Sequence, residues 1–368
     1  MPLWTLLTLF ASRAALAVQP ALEYMSMPSL LTWQMSCHDA YLSVNHHLRS
    51  TLHCLLSRFV PKLAYFLQIL APWGCLIVGE AALSHILHNP SICNASLELA
   101  IGNLYFQPFI HCLLRHLPYG TLLHSLKVAP APDGFPFHRH ITRYAEFRLT
   151  SGLFIVLYES STPSACDVVS GYWSTALMNF VTGYTFGCAY PRLTFNQFSL
   201  ICDSRTASMA WWDHDLALRL EHLNFFTDTR PLVSPSSHGL SSILPALDRC
   251  GKSMYVCPMQ GRFFGDRGSL VLFYDGFCVD LVVLRELGVA PYGPMVTWRL
   301  PSTGTCDSNC LKYDKVMPPF IVSMLSMFAE ETSGFARAHA LVHTIADPGS
   351  HDPIISPPVN PRGRRYSL

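Results

Sequence analysis

Charge is what this chain has least of. Asp, Glu, Lys and Arg make up 13% of its 368 residues, against about 25% in an average soluble domain. The formal net charge is +1, so no global field draws it to a polyanion and no nucleic-acid partner is evident. Long apolar runs are missing too. The nearest, "AYFLQILAPWGCLIVG", is interrupted by Gln68 and Pro72 and falls short of the roughly 18–20 residues that cross a bilayer. No membrane span is expected. Thirteen cysteines include no Cys-x-x-Cys pair, which argues against a zinc ribbon, and an odd number cannot all pair within one chain. Nor is there a G-x-S-x-G elbow or a Walker A loop.

Apolar residues, at 50%, are abundant. A chain of this length supports two domains, or one large one with appendages. An apolar interior under a surface poor in charge suits a protein partner, a membrane surface or poor solubility alike. Several cysteines (Cys54, Cys75, Cys112, Cys188, Cys278) lie in apolar runs and read as buried free thiols. They favour a reducing, intracellular setting, cytoplasmic or nuclear. The start "MPLWTLLTLFASRAALA" resembles a secretory signal ending in A-L-A. It lacks a positive beginning and places Arg13 before the cut, so a helix is the favoured reading and secretion the alternative.

Five segments follow from periodicity and punctuation. Residues 1–70 read as a helical N-terminal segment, with apolar positions three and four apart and a break at Pro61. Residues 71–205 alternate strands and helices. Here "GCLIV", "SLELAI" and "GLFIVLYES" are strands and "EAALSHIL", "FQPFIHCLLRHL" and "STALMNFV" helices, while "YPRLTF" is a loop with a strand start. Residues 206–250 hold a helix, "MAWWDHDLALRLEHLNFF", and a Ser/Pro-rich linker. Residues 251–346 form a β-rich extension with a closing helix, and 347–368 a disordered tail. The fold class expected is α+β: a mixed sheet with flanking helices.

The stretch that carries chemistry runs from Gly74 to Gly102. A strand, a Gly turn and a helix N-terminus can hold a phosphate through backbone N–H groups. Acids at i and i+2 of the next strand share a face, and with a third carboxylate they can hold two Mg²⁺ ions. Here Gly79 supplies the turn, but Glu80 follows it, and Ser96 and Glu98 stand where two aspartates are needed. The later strand contributes only Glu159, at its end; Asp167 and Asp280 are more remote.

The residues "PSLLTWQMSCHDAY", "VGEAALSHIL", "SLELAI" and "STALMNFVTGYTFGCAYPRLTF" resemble a group of proteins from mushroom-forming fungi. In that group a degenerate F-box-like helical N-terminus precedes a nucleotidyltransferase-like domain. The likeness covers roughly Met27 to Asp203. It implies a fold and carries no activity with it. It also implies a Gly-Ser-Thr-Ala-Leu turn where this chain has Glu80, and an Asp-x-Asp strand where it has Ser96 and Glu98. A carboxylate at Glu80 is expected to face and repel phosphate. Glu98 alone could instead be the outward residue of an edge strand.

The reading is therefore a catalytically degenerate nucleotidyltransferase-like protein that binds or scaffolds. Gly79 and Ser96 are its candidate phosphate contacts, and Glu98, Glu80 and Glu159 its candidate catalytic acids. The alternatives are an active transferase with a rearranged carboxylate set, which alone would imply Mg²⁺, and an F-box-type adaptor docking a protein through its helical N-terminus. A nucleotide remains a candidate ligand. Other constellations carry less: His138 and His140 in "FHRH" with Glu146, the charged helix with Asp213, His214, Asp215, Glu221 and His222, the Cys306–Cys310 loop, the Asn94 sequon, and Ser367 after Arg364 and Arg365.

Overall fold

The computed structural model describes residues 21–93, 95–117, 122–131, 140–201, 211–228, 255, 261–274 and 298. Asn94, His138, Asp280, Cys278, the Cys306–Cys310 loop and the tail lie outside these, as do the linker and most of the β-rich extension.

Three helices lead the chain: α1 (Met27–Gln34), α2 (His38–Leu56) and α3 (Leu63–Leu70). Ser26 caps α1, its side chain accepting from the Ser29 N–H, and Pro28 sits in the first turn where no N–H is missed. Pro61 falls in the gap between α2 and α3. Next come β1 (Leu76–Val78), α4 (Gly79–Ile86), β2 (Ser96–Ile101), α5 (Phe106–His116), β3 (Leu123–Pro130), β4 (Ile141–Leu149), β5 (Phe154–Ser160) and α6 (Cys166–Gly171). The rest are β6 (Asn179–Val181), β7 (Thr185–Cys188), the one-turn α7 (Pro191–Thr194), β8 (Phe198–Leu200), α8 (Trp211–His222), β9 (Phe226–Asp228) and β10 (Leu270–Phe273).

Eight strands make one mixed sheet in the order β10-β7-β6-β1-β2-β5-β4-β3. β2 runs antiparallel to β1 and parallel to β5; β8 and β9 pair separately. The expected α+β architecture, with helices flanking a mixed sheet, is what forms. β10, expected in a separate extension, joins this sheet as its edge, and its pairing with β7 runs from Leu270–Cys188 to Phe273–Thr185.

Two segments differ from their expected form. "STALMNFV" is not a helix but a 3₁₀ turn, Thr175–Leu177, followed by β6. Ser174 caps the turn, and Asn179, Phe180 and Val181 pair with β7; tertiary pairing outweighs the helix propensity of Ala-Leu-Met. In "YPRLTF" Pro191 starts a helical turn, and the strand begins only at Phe198.

Alternation along the strands divides the core into two layers. Ile77, Leu97, Leu99, Ile101, Ile155 and Leu157 point to one face and share a single buried cluster with Leu30, Val44, Leu48, Leu52 and Leu56 of α1 and α2. The N-terminal helices and the sheet thus have a common core, and it runs without a break across residue 70. Leu76, Val78 and Ala100 face the other way, against Val168, Trp173, Leu177 and Leu220. Cys75 and Cys188 are buried as expected; Cys54 is exposed because it lies on the outer side of α2.

Candidate functional site

The candidate site lies where β1 turns into α4. Gly79 has φ +62°, a left-handed conformation that side-chain-bearing residues rarely adopt. A Cβ there would also stand 1.7 Å from Glu98 Oε2 and 3.1 Å from the Tyr172 hydroxyl. The glycine is therefore required twice, by its backbone and by the carboxylate pressed against it.

Glu98 does not sit on an edge strand. β2 lies between β1 and β5, and Glu98 is in register with Val78 on one side and Val156 on the other. Its side chain is half-buried beneath Tyr172, whose hydroxyl donates to Oε2 at 2.8 Å. Ser96 shares its face by the two-residue period. The β5 residue beside Glu98 on that face is Val156, an apolar side chain where a third carboxylate would stand.

Glu159 lies three residues further along β5, opposite Ile101, and an odd offset turns it to the other face. Arg143 grips it there, Nε at 2.5 Å and Nη2 at 2.6 Å, while the Thr142 hydroxyl donates at 2.6 Å. Burial works to raise its pKa, and the hydrogen bonds from Arg143 and Thr142 outweigh that and leave it lowered. The Arg143 guanidinium also lies 5.0 Å from the Phe106 ring. Glu98 and Glu159 are thus on opposite sides of the sheet and cannot share a ligand.

Glu80 was expected to face an incoming phosphate. Instead it is buried and clasped by Arg219 of α8, at 2.5 Å from Nη2 and 3.0 Å from Nη1. Arg219 Nε also holds Asp215 at 2.9 Å. The hydrogen bonds that Arg219 donates to Glu80, against burial, raise the Arg219 pKa further. The carboxylate is neutralised in place and its repulsion removed. Nearby, Arg58 Nη1 donates to the Cys93 carbonyl at 2.8 Å. The Cys93 thiol is pushed up to about 12, chiefly by burial and then by Glu80, so it is no thiolate nucleophile at neutral pH.

Tyr172 and Arg219 are the residues sequence reasoning missed. Nothing in the spacing joins position 172 to 98 or 219 to 80; only the packing of α6 and α8 over the second face does. Asp167, read as a remote acid, accepts from His140 Nδ1 at 2.9 Å and from the Ser161 hydroxyl at 2.7 Å. His140 therefore pairs with Asp167 and not with Glu146. Among the described residues no three His, Cys, Asp or Glu side chains are grouped to hold a metal, and no helix is long and apolar enough to cross a membrane.

No family model, curated protein or solved structure matches the chain. Any functional reading rests on the geometry above.

Proposed function

We propose that the protein is a non-catalytic binding or scaffolding protein built on a nucleotidyltransferase-like sheet. The support for such a scaffold is the order of parts: strand, left-handed Gly turn, helix, then an acid-bearing strand beside a parallel one. The support for its being inert is the arrangement of acids, and one observation carries it. Glu98 faces the Gly79 turn with Val156 as its neighbour on β5, while Glu159 is on the opposite face and Glu80 is held by Arg219. Two Mg²⁺ ions require several carboxylates converging on one point. Here Glu159 is on the far side of the sheet and Glu80 is engaged by Arg219, so the three do not converge as a metal clamp.

Calorimetric titration of the full chain with each nucleoside triphosphate, with and without Mg²⁺, tests this. The reading expects no heat that depends on metal and no pyrophosphate release. Metal-dependent binding abolished by Glu98→Ala would sink it and favour an active transferase.

A second reading, an adaptor that docks a protein through the N-terminal helices, is favoured by exposed apolar side chains there: Tyr24, Met35 and Leu42. Because α1 and α2 belong to the shared core, it is tested by Met35→Asp and Leu42→Asp in pull-down experiments rather than by deleting the helices. A partner retained by both variants would count against it.

A further inference from the structure

The far end of α4 meets the N-terminal helices through histidines. α4 closes with two turn bonds: the Asn89 N–H donates to the Ser84 carbonyl at 2.9 Å and the His88 N–H to the His85 carbonyl at 3.2 Å. This is a Schellman arrangement, whose left-handed position usually takes Gly or Asn. Here it is His88, with φ 58°. α8 ends with the same pattern, from Phe225 to Leu220 and from Asn224 to Glu221, and its left-handed residue is the customary Asn224. The cap alone does not account for a histidine at 88.

Its ring supplies the reason. His88 Nε2 lies 2.8 Å from Nε2 of His47 on α2, with the rings 4.7 Å apart and inclined at 65°. His47 is almost fully buried. A contact of this kind needs one nitrogen bearing hydrogen and one offering a lone pair. Two imidazolium rings would put a proton and a positive charge on both sides of the same gap.

The surroundings resist that charge. His46 lies near His47, and His85 and Glu23 bear on the cluster from α4 and from the segment before α1. Burial, then His88 and His46, hold His47 down to about 4; burial also lowers His88, with Glu23 opposing. His85 is enclosed as well. Its Nε2 meets the Tyr274 hydroxyl at 2.7 Å, and its Nδ1 has no hydrogen-bond partner among the described residues. Phe186 of β7 packs edge-on against its ring, and the Arg49 guanidinium lies 6.0 Å from the Tyr274 ring.

We propose that the His47–His88 contact is a proton-sensitive latch tying α2 to α4, closed while the pair carries at most one positive charge and opened by the second. Because the folded pair resists protons that the unfolded chain accepts, its contribution is complete above about pH 6.5 and is lost as pH falls toward 4. Opening would loosen α2 locally against the helix that begins at the Gly79 turn, while the apolar core they share stays packed.

The test is native-state hydrogen exchange of the full chain between about pH 7 and pH 4.5, expressed as protection factors, with His88→Asn and His47→Gln alongside. Asparagine suits the left-handed cap, so His88→Asn removes the imidazole without opening the turn. Across residues 38–56, the wild-type protein should lose about tenfold more protection on acidification than either variant, a factor of ten for each pKa unit released. Equal losses in all three would overturn the latch. NMR titration of the imidazoles provides a second readout that a purely structural role would not move: His88→Asn should raise the apparent pKa of His47 by about one unit. An unchanged His47 titration would also overturn it.

Discussion

Gly79→Ala should be costly, and the reason can be separated by a second substitution. The left-handed backbone at φ +62° costs an alanine about 1–2 kcal/mol. The new Cβ would also fall 1.7 Å from Glu98 Oε2. That atom ends a flexible side chain, so the chain yields by moving Glu98 away from Tyr172. Losing a hydrogen bond to a charged acceptor adds about 1.5–3 kcal/mol, for a total of about 3–4 kcal/mol. In a Glu98→Ala background the carboxylate is gone and only the backbone cost remains, about 1–2 kcal/mol. Urea denaturation of the wild-type protein, both single variants and the double variant would give the coupling, expected at about 2 kcal/mol. If Gly79→Ala costs the same in both backgrounds, the carboxylate is not what requires the glycine and the account of the turn is wrong.

Other consequences follow from the ion pairs and the shared core. Arg219→Ala removes the guanidinium that clasps the buried Glu80 carboxylate and should destabilise by about 3 kcal/mol, whereas Glu80→Leu with Arg219→Leu should come within about 1 kcal/mol of wild type, both read as shifts in the urea midpoint. Arg143→Ala should cost about 1–2 kcal/mol at neutral pH, since the Arg143 side chain is 46% exposed and its pairing partly screened, and Thr142 still donates to the buried Glu159. Because the folded pKa of Glu159 is lowered, the stability from its pairing is present above its unfolded value, about 4.3. It is lost as pH falls through that lowered folded value, so the two proteins should converge in stability once the pH is below it. Leu48→Ala, in the core shared by α2 and the sheet, should cost about 3 kcal/mol and lower one cooperative thermal transition. A separate early transition for the helices would contradict a common core.

Much of the fold was legible in the sequence because its signals are local. "GCLIV", Gly79, "EAALSHIL" and "SLELAI" each carry their own period or breaker, and β1, α4 and β2 form there. Pro61 marks a helix gap for the same reason, whereas the helical turn that Pro191 starts reads as a loop in the sequence. "STALMNFV" was not legible, since its residues favour a helix and only pairing with β1 and β7 makes β6 a strand.

The site was half legible. The identity of its acids was plain, but the faces were not, because the register that sets Val156 beside Glu98 and Glu159 beside Ile101 has no sequence mark. The Arg219 clasp joins positions 139 residues apart. Glu80 looked like a repulsive charge only because its neutralising partner comes from a later helix.

The central claim is that the acids around the Gly79 turn do not assemble a metal-dependent nucleotide site. Its most direct test is thermal unfolding of the full chain with each nucleoside triphosphate, with and without Mg²⁺ or Mn²⁺, since a ligand of the native state must raise the midpoint. The account predicts no rise that requires the metal. A metal-dependent rise that disappears in Glu98→Ala would contradict it.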